Sequence, residues 1–167
     1  MHIKYSGKDM MKQLIMILII MQFTLGQQIK EGVPYSQIQG LRNSYHTITL
    51  PRVNHDALLE EDTYRVLGTP YRYGYKHEVH YTPEHSGTWA ETADGGRMWQ
   101  VRFISADAYA ISFEYDEFHI PEGGQLYIYT PGYDMIIGAY THLNNTEHRR
   151  FSTPLIKGDT AIIEYYQ

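Results

Sequence analysis

The residues best suited to metal chemistry are His77, Glu78, His80 and His85. A zinc protease site needs His-Glu-x-x-His on a helix, because that spacing puts both imidazoles on one helix face. Here the first two histidines are three residues apart, in a segment whose weak alternation predicts a strand. A strand would point them to opposite faces. The pattern favours a surface cluster, and we expect no metal site.

Nucleophilic catalysis is the second chemistry to test. None of the seven serines lies in a Gly-x-Ser-x-Gly or Gly-Asp-Ser-Gly context, which the nucleophiles of known serine hydrolases occupy. The chain has no cysteine, which excludes cysteine nucleophiles, thiolate metal sites and disulfides. We therefore expect neither a catalytic residue nor a cofactor, so the chain itself is not expected to be an enzyme.

Acidic residues are the third candidate set. Glu114 and Asp116 share one face of a predicted strand, and an acid pair of this kind serves glycoside hydrolysis when both acids face a cleft. The apolar residues alternate onto the opposite face, so these acids are expected on the solvent face. Asp107 and Glu117 extend the set toward a calcium site, but the dense Asp/Asn loop of a calcium cage is missing. Solvated acids are the favoured interpretation.

Tyrosine is unusually common, with 16 residues, and three of them alternate strictly. Tyr71, Tyr73 and Tyr75 would place their rings on one face of an extended segment, with charged or small residues on the other. Tyrosine combines an apolar ring with a polar tip and suits half-buried or interfacial positions. The row is interpreted either as an edge strand that covers the core or as a docking face for a partner.

The two tryptophans have different contexts. Trp99 alternates in phase with apolar residues of a predicted strand and is expected in the core. Trp89 follows a glycine turn, where it would serve either as a carbohydrate-stacking platform or as part of a docking surface. The candidate binding residues are Tyr71, Tyr73, Tyr75 and Trp89.

The elements that must position these residues are short strands. From residue 77 onward, alternating segments recur roughly every ten residues, separated by Gly, Pro, Asp or Asn, which is typical of a β-sandwich or barrel. We predict an all-β fold, an antiparallel β-sandwich of jelly-roll or CUB-like type with about seven or eight short strands. The predicted strands are 78–81, 88–92, 98–104, 109–118, 126–129, 135–141 and 160–166.

The leading 26 residues have the pattern of a secretory signal peptide. Lysines precede an apolar run that begins at Leu14, and small residues up to Gly26 favour cleavage ahead of Gln27. The apolar run, about 12 residues, falls short of the ~20 that cross a bilayer, so no membrane attachment is expected after cleavage. The pattern predicts a secreted, extracellular protein.

The domain organisation follows from these patterns. Residues 1–26 are assigned to the signal peptide, 27–76 to an irregular lead-in, and 77–167 to the sandwich domain. Within the lead-in, residues 55–64 are amphipathic enough for one or two helical turns. The last predicted strand runs to Gln167, so we expect the chain to stop before a further domain.

An ordered series of motifs covers about residues 70–167. It consists of Gly87-Thr88-Trp89, Asp94 to Arg102, Ser105 to Tyr109, Phe118 to Tyr129, Ile137 to Thr141, Asn144-Asn145, Phe151 to Pro154, and Lys157-Gly158-Asp159 through Tyr166. Together these motifs resemble the non-catalytic N-terminal domain that precedes the trypsin-like catalytic domain in bacterial lysyl endopeptidase-type secreted proteases.

This resemblance implies a secreted serine protease precursor, of which the chain is a pro- or accessory domain that assists folding or docks. The implied partner is a C-terminal serine protease domain outside this chain, and the family's catalytic His, Asp and Ser lie in that domain. The net charge of −5 without a basic stripe argues against nucleic acid as a partner. The alternative is a free-standing secreted module that binds carbohydrate or protein. The oligomeric state stays open.

Overall fold

The computed structural model describes residues 32–41, 45–66 and 68–167, which are mostly β. The predicted signal peptide lies outside the described residues. Within these ranges, no helix is long and apolar enough to cross a membrane. The elements are α1 Tyr35–Ile38, β1 His46–Thr49, α2 His55–Thr63, β2 Thr88–Glu91, β3 Arg97–Ile104, β4 Ala110–Ile111, β5 Glu114–Tyr115, β6 Gln125–Tyr129, β7 Ile136–Tyr140, a 3₁₀ turn His142–Asn144, β8 Phe151–Ser152, β9 Ile156–Lys157 and β10 Thr160–Tyr166.

The strands with the clearest alternation are confirmed. β2, β3, β6, β7 and β10 lie within one residue of their predicted bounds. The predicted hairpin turn joins β2 to β3, where the amide of Thr92 donates to Gly96 and Gly95 adopts a φ of 86°. Glycine reaches this left-handed conformation without steric cost, which explains the Asp-Gly-Gly sequence at the turn. The predicted helical turns at 55–64 are also confirmed as α2.

One sheet contains most of the strands, in the order β1-β3-β10-β6-β7, and β2 shares the outer edge of β3 with β1. β2 pairs with the first half of β3, and β1 pairs with its second half. The β1–β3 pair is parallel, so the expectation of a purely antiparallel fold is wrong for this edge. The chain returns to β3 through a long connection that includes α2, as a parallel pair requires. β1 also gives regular structure to part of the segment that was expected to be irregular.

Two predicted strands differ in the structure. Residues 78–81 form no strand, and the whole of 70–82 is irregular. The predicted strand 109–118 is reduced to β4 and β5, which pair with β9 and β8. Between them, the amide of Phe113 donates to the Thr153 hydroxyl at 3.0 Å, so a side chain replaces a backbone acceptor and interrupts the ladder.

The apolar core lies between the large sheet and the two short strand pairs. Trp99, Val101 and Phe103 alternate on one face of β3 and are buried, which confirms the core position of Trp99. They share one cluster with Phe151 and Ile156 from the strand pairs. This burial of apolar surface is the main favourable contribution to folding.

Truncating a core residue should cost more than truncating an exposed one. Ile128 in β6 is fully buried in this cluster, so Ile128→Ala should lower the free energy of unfolding by about 2–5 kcal/mol. Leu59→Ala removes a side chain that is 66% exposed on α2 and should change it by less than about 0.5 kcal/mol. Urea unfolding of both variants measures the difference. Equal losses would contradict this placement of the core.

Candidate functional site

The opposite face of the sheet carries polar side chains from its three central strands. Glu164 of β10 lies opposite Gln100 of β3 and opposite Tyr127 of β6. Tyr129 lies two residues along β6 and therefore shares this face. Gln100, Tyr129 and Glu164 are all at most 4% exposed. The middle of the sheet thus encloses a carboxyl group.

The Glu164 side chain receives four hydrogen bonds. Its Oε2 atom accepts from Gln100 Nε2 at 2.8 Å, from Tyr129 OH at 2.8 Å and from Ser36 Oγ at 2.5 Å. Its Oε1 atom accepts from the Ser36 backbone N–H at 3.1 Å. Because a buried carboxyl group is very costly without partners, these donors are what allow it to lie there.

The segment that supplies Ser36 crosses this face, and we call residues 32–38 the strap. Pro34 and Ser36 are fully buried, and the Tyr35 ring stacks on Tyr166 with 4.9 Å between ring centroids. At Gly32 there is no room for a side chain, since a Cβ atom would lie 2.6 Å from the Tyr127 hydroxyl. The strap therefore fits the sheet through backbone, ring and hydroxyl contacts together.

The tyrosines around this carboxyl group act as neutral donors. Burial, together with the negative charge of Glu164, raises the pKa of Tyr129 far above its ordinary value. Burial and the neighbouring Tyr133 raise the pKa of Tyr45. The Tyr133 hydroxyl also lies 3.0 Å from Ser36 Oγ. The site is a hydrogen-bonded network that keeps its phenolic protons.

This arrangement is not an exposed nucleophile. Ser36 lies beside an acid, as an activated serine does, but both side chains have no solvent exposure. The hydroxyl contacts Glu164, Tyr129 and Tyr133, and among the described residues no histidine bonds to it. A triad needs a histidine base in contact with the serine. The network therefore holds the strap on the sheet and offers no route for substrate.

The predicted tyrosine row lies on the surface. Tyr71, Tyr73 and Tyr75 are 80%, 93% and 54% exposed. The Arg65 guanidinium lies 3.6 Å from the centroid of the Tyr71 ring, and the Tyr75 ring meets His77 edge-on. Since this stretch forms no strand, its interpretation as an edge strand that covers the core is wrong. The docking-face interpretation stays a prediction.

The charged residues that alternate with these tyrosines form ion pairs with neighbouring elements. Arg72 pairs with Glu61 at 2.8 Å and with the neighbouring acid of α2 at 3.2 Å. Lys76 pairs with Glu78 and, across to β5, with Glu114, each at 3.4 Å. These ion pairs are largely exposed, and such pairs contribute little stability. The stretch is thus fixed at two points by weak contacts while its rings face solvent.

Trp89, the fourth predicted binding residue, packs into the β2–β3 hairpin. It pairs with Trp99 across the hairpin, and its Nε1 donates to the Pro83 carbonyl at 3.0 Å. The Arg97 guanidinium lies 4.4 Å over the ring, and Tyr165 meets the ring edge-on. One face of the indole is therefore covered, and Trp89 is only partly exposed, whereas the three tyrosines of the row are exposed.

The histidine cluster forms no metal centre in the part of the chain that the structure describes, where no group of three His, Cys, Asp or Glu side chains converges. The acids are solvated, as predicted. Glu114, Glu117 and Asp107 have side chains 55%, 83% and 52% exposed, and each forms a surface ion pair.

The buried network was not predicted from the sequence. Its one local signal is Glu164, a charged residue inside the otherwise apolar β10. A charge in a central strand implies buried donors, but it does not say which residues supply them. Ser36 lies 128 residues away, in a segment without periodicity.

No protein-family model matches this chain, and no solved structure matches it.

Removing one donor from the network should be costly. Tyr129→Phe keeps the ring but deletes the hydroxyl that donates to Glu164, so we expect a loss of about 1.5–3 kcal/mol in unfolding free energy. Tyr73→Phe, at a ring that is 93% exposed, is the matched control and should change it by less than about 0.5 kcal/mol. Urea unfolding distinguishes them. An unchanged stability for Tyr129→Phe would contradict a stabilising role for the Tyr129 hydroxyl.

The buried tyrosines also predict alkaline instability. Burial raises the pKa of Tyr115, Tyr129 and Tyr140, so the folded chain keeps these protons at a pH where the unfolded chain has lost them. Their contribution to stability is complete below about pH 10 and declines above it, by up to about 1.4 kcal/mol per pH unit for each tyrosine. Unfolding free energies measured between about pH 8 and about pH 11 test this. Tyr129→Phe should flatten the decline, and an identical slope in that variant would contradict the assignment.

Proposed function

We propose that this chain is the non-catalytic N-terminal domain of a secreted, lysyl endopeptidase-like serine protease precursor. In this role it docks onto the protease domain and assists its folding. The observation that carries the proposal is the tyrosine row, three rings 54–93% exposed within five residues. The ordered motif series at 70–167 supports the choice of partner.

The physical case for a docking surface is that the three rings remain exposed to water in this chain. Tyr71, Tyr73 and Tyr75 bury little surface in this chain, so their contribution to its folding is small. Aromatic residues are enriched at protein interfaces, where a ring gives a large contact area for few ordered torsions.

We also propose how the strands are arranged in layers. We infer a β-sandwich of jelly-roll or CUB-like type, antiparallel except at the β1–β3 pair, with the large sheet as one layer and the β4–β9 and β5–β8 pairs as the beginning of the other. The apolar cluster between them supports this reading. The proposal also includes export, with signal peptide cleavage ahead of Gln27.

A free-standing secreted binding module is the second candidate. The same exposed rings would stack on sugars as readily as on a protein. Trp89 supports this candidate less, since it is only partly exposed and its Nε1 is bonded to the Pro83 carbonyl.

Docking through the row is tested with a triple variant. Tyr71→Ser, Tyr73→Ser and Tyr75→Ser together should weaken binding to the lysyl endopeptidase domain encoded downstream in the same reading frame by roughly 30-fold or more, since a single interface hot spot contributes about 2 kcal/mol. Isothermal titration calorimetry measures the dissociation constant. The far-ultraviolet circular dichroism spectrum should stay unchanged, because the rings are exposed.

The matched control is Tyr109→Ser, at a ring that is 93% exposed outside the row, and it should leave the affinity unchanged. A reading frame without a trypsin-like domain, or equal affinity for the triple variant, would refute the proposal. The free-standing module would instead be supported if the unmodified chain and Tyr109→Ser bind glycans on an array and the triple variant does not.

A further inference from the structure

The side chains that hold the strap in place belong to the strands of the large sheet. Without residues 32–38, the sheet would present a carboxyl group at Glu164, with Tyr129 and Gln100 beside it and the ring of Tyr166 at the edge. The strands that carry these groups pair with one another, and no backbone ladder of the sheet includes the strap. We call this surface the seat.

Each contact between the seat and the strap selects a different chemical feature of the strap. The Glu164 carboxyl group takes both the N–H and the hydroxyl of Ser36, so it selects a residue that donates twice. Tyr166 stacks on Tyr35 with an interplanar angle of 6°, which selects a planar ring. Between these contacts, Pro34 is fully buried with φ fixed at −54°.

The remaining two positions differ from each other. Gly32 lies so close to the Tyr127 hydroxyl that a larger residue would collide with it. Val33 is 49% exposed, so the seat selects little at this position. The seat thus fits the pattern small-x-Pro-aromatic-Ser. Because the carboxyl group accepts hydrogen bonds, an acidic residue or phosphoserine in place of Ser36 would be repelled.

We propose that the seat is a peptide-binding site for segments of the form small-x-Pro-aromatic-Ser, and that the chain's own strap occupies it as an intramolecular ligand. The strap then masks the site until it is displaced by a competing segment. This site uses none of the residues of the tyrosine row, so the proposed docking function and this site can fail separately.

The test opens the strap without changing the seat. In the full chain, residues 42–44 are replaced by the recognition sequence of a specific protease, the purified chain is cut there, and the released N-terminal segment is removed by dilution and size-exclusion chromatography. A fluorescein-labelled peptide with the sequence of residues 30–41 is then added, and fluorescence anisotropy follows its binding. Three further peptides carry Ser36→Ala, Ser36→Asp or, as the matched control, Val33→Ala.

We expect the native and Val33→Ala peptides to bind the cut chain equally. The Ser36→Ala peptide should bind about 10- to 100-fold more weakly, since it loses a hydrogen bond to a charged group, and Ser36→Asp should not bind measurably. The uncut chain should bind none of them, because its seat is filled. Circular dichroism reports whether the sheet stays folded.

Three results would overturn the proposal. The first is unfolding of the sheet when the cut strap leaves, which would make the strap an inseparable part of the core. The second is failure of the native peptide to enter the cut chain. The third is equal binding of the native and Ser36→Ala peptides, which would mean that Glu164 recognises nothing.

Discussion

A buried carboxyl group in the middle of the sheet requires hydrogen-bond donors from the strands and segments around it. Glu164 lies on β10, the central strand, which pairs with β3 on one side and β6 on the other. Placing such a group away from water costs several kcal/mol unless donors surround it. Two donors come from the flanking strands, and two come from Ser36. The requirement to satisfy one side chain therefore brings a distant segment onto the sheet.

This constraint gives the two faces of the sheet different roles. The face with Trp99, Val101 and Phe103 packs onto the short strand pairs through apolar contacts, which depend on volume and tolerate similar shapes. The other face is specified by hydrogen bonds, which depend on direction and on the identity of each partner. The apolar face thus supplies most of the stability, and the polar face determines where the segment before β1 must lie.

The parts of the fold that local alternation determines were predictable, and those that depend on distant partners were not. Side chains two positions apart in a strand lie on the same face, so the alternation of residue types in β3 and β10 predicts these strands from their own sequence. β1 has only four residues and gains its regularity from pairing with β3, 55 positions further along the chain. The strap has no period, since its conformation follows from the seat. The predicted strand 109–118 shows the opposite error: Tyr109 alternates in phase with Ile111 and was included in it, yet Tyr109 is 93% exposed and the strand begins only after it.

The candidate sites divide in the same way. The alternation of Tyr71, Tyr73 and Tyr75 was recognisable from spacing alone, but it left open whether the rings cover the core, and only the structure shows that they are exposed. Glu164 and Ser36 were not recognisable, since a buried polar pair has meaning only when both members are known. The two proposed binding surfaces, the exposed row and the seat, differ in how they become available. The row is available at once, whereas the seat requires the breaking of the hydrogen bonds that Ser36 makes. Any binding at the row would therefore be immediate, and any binding at the seat would be conditional on the strap.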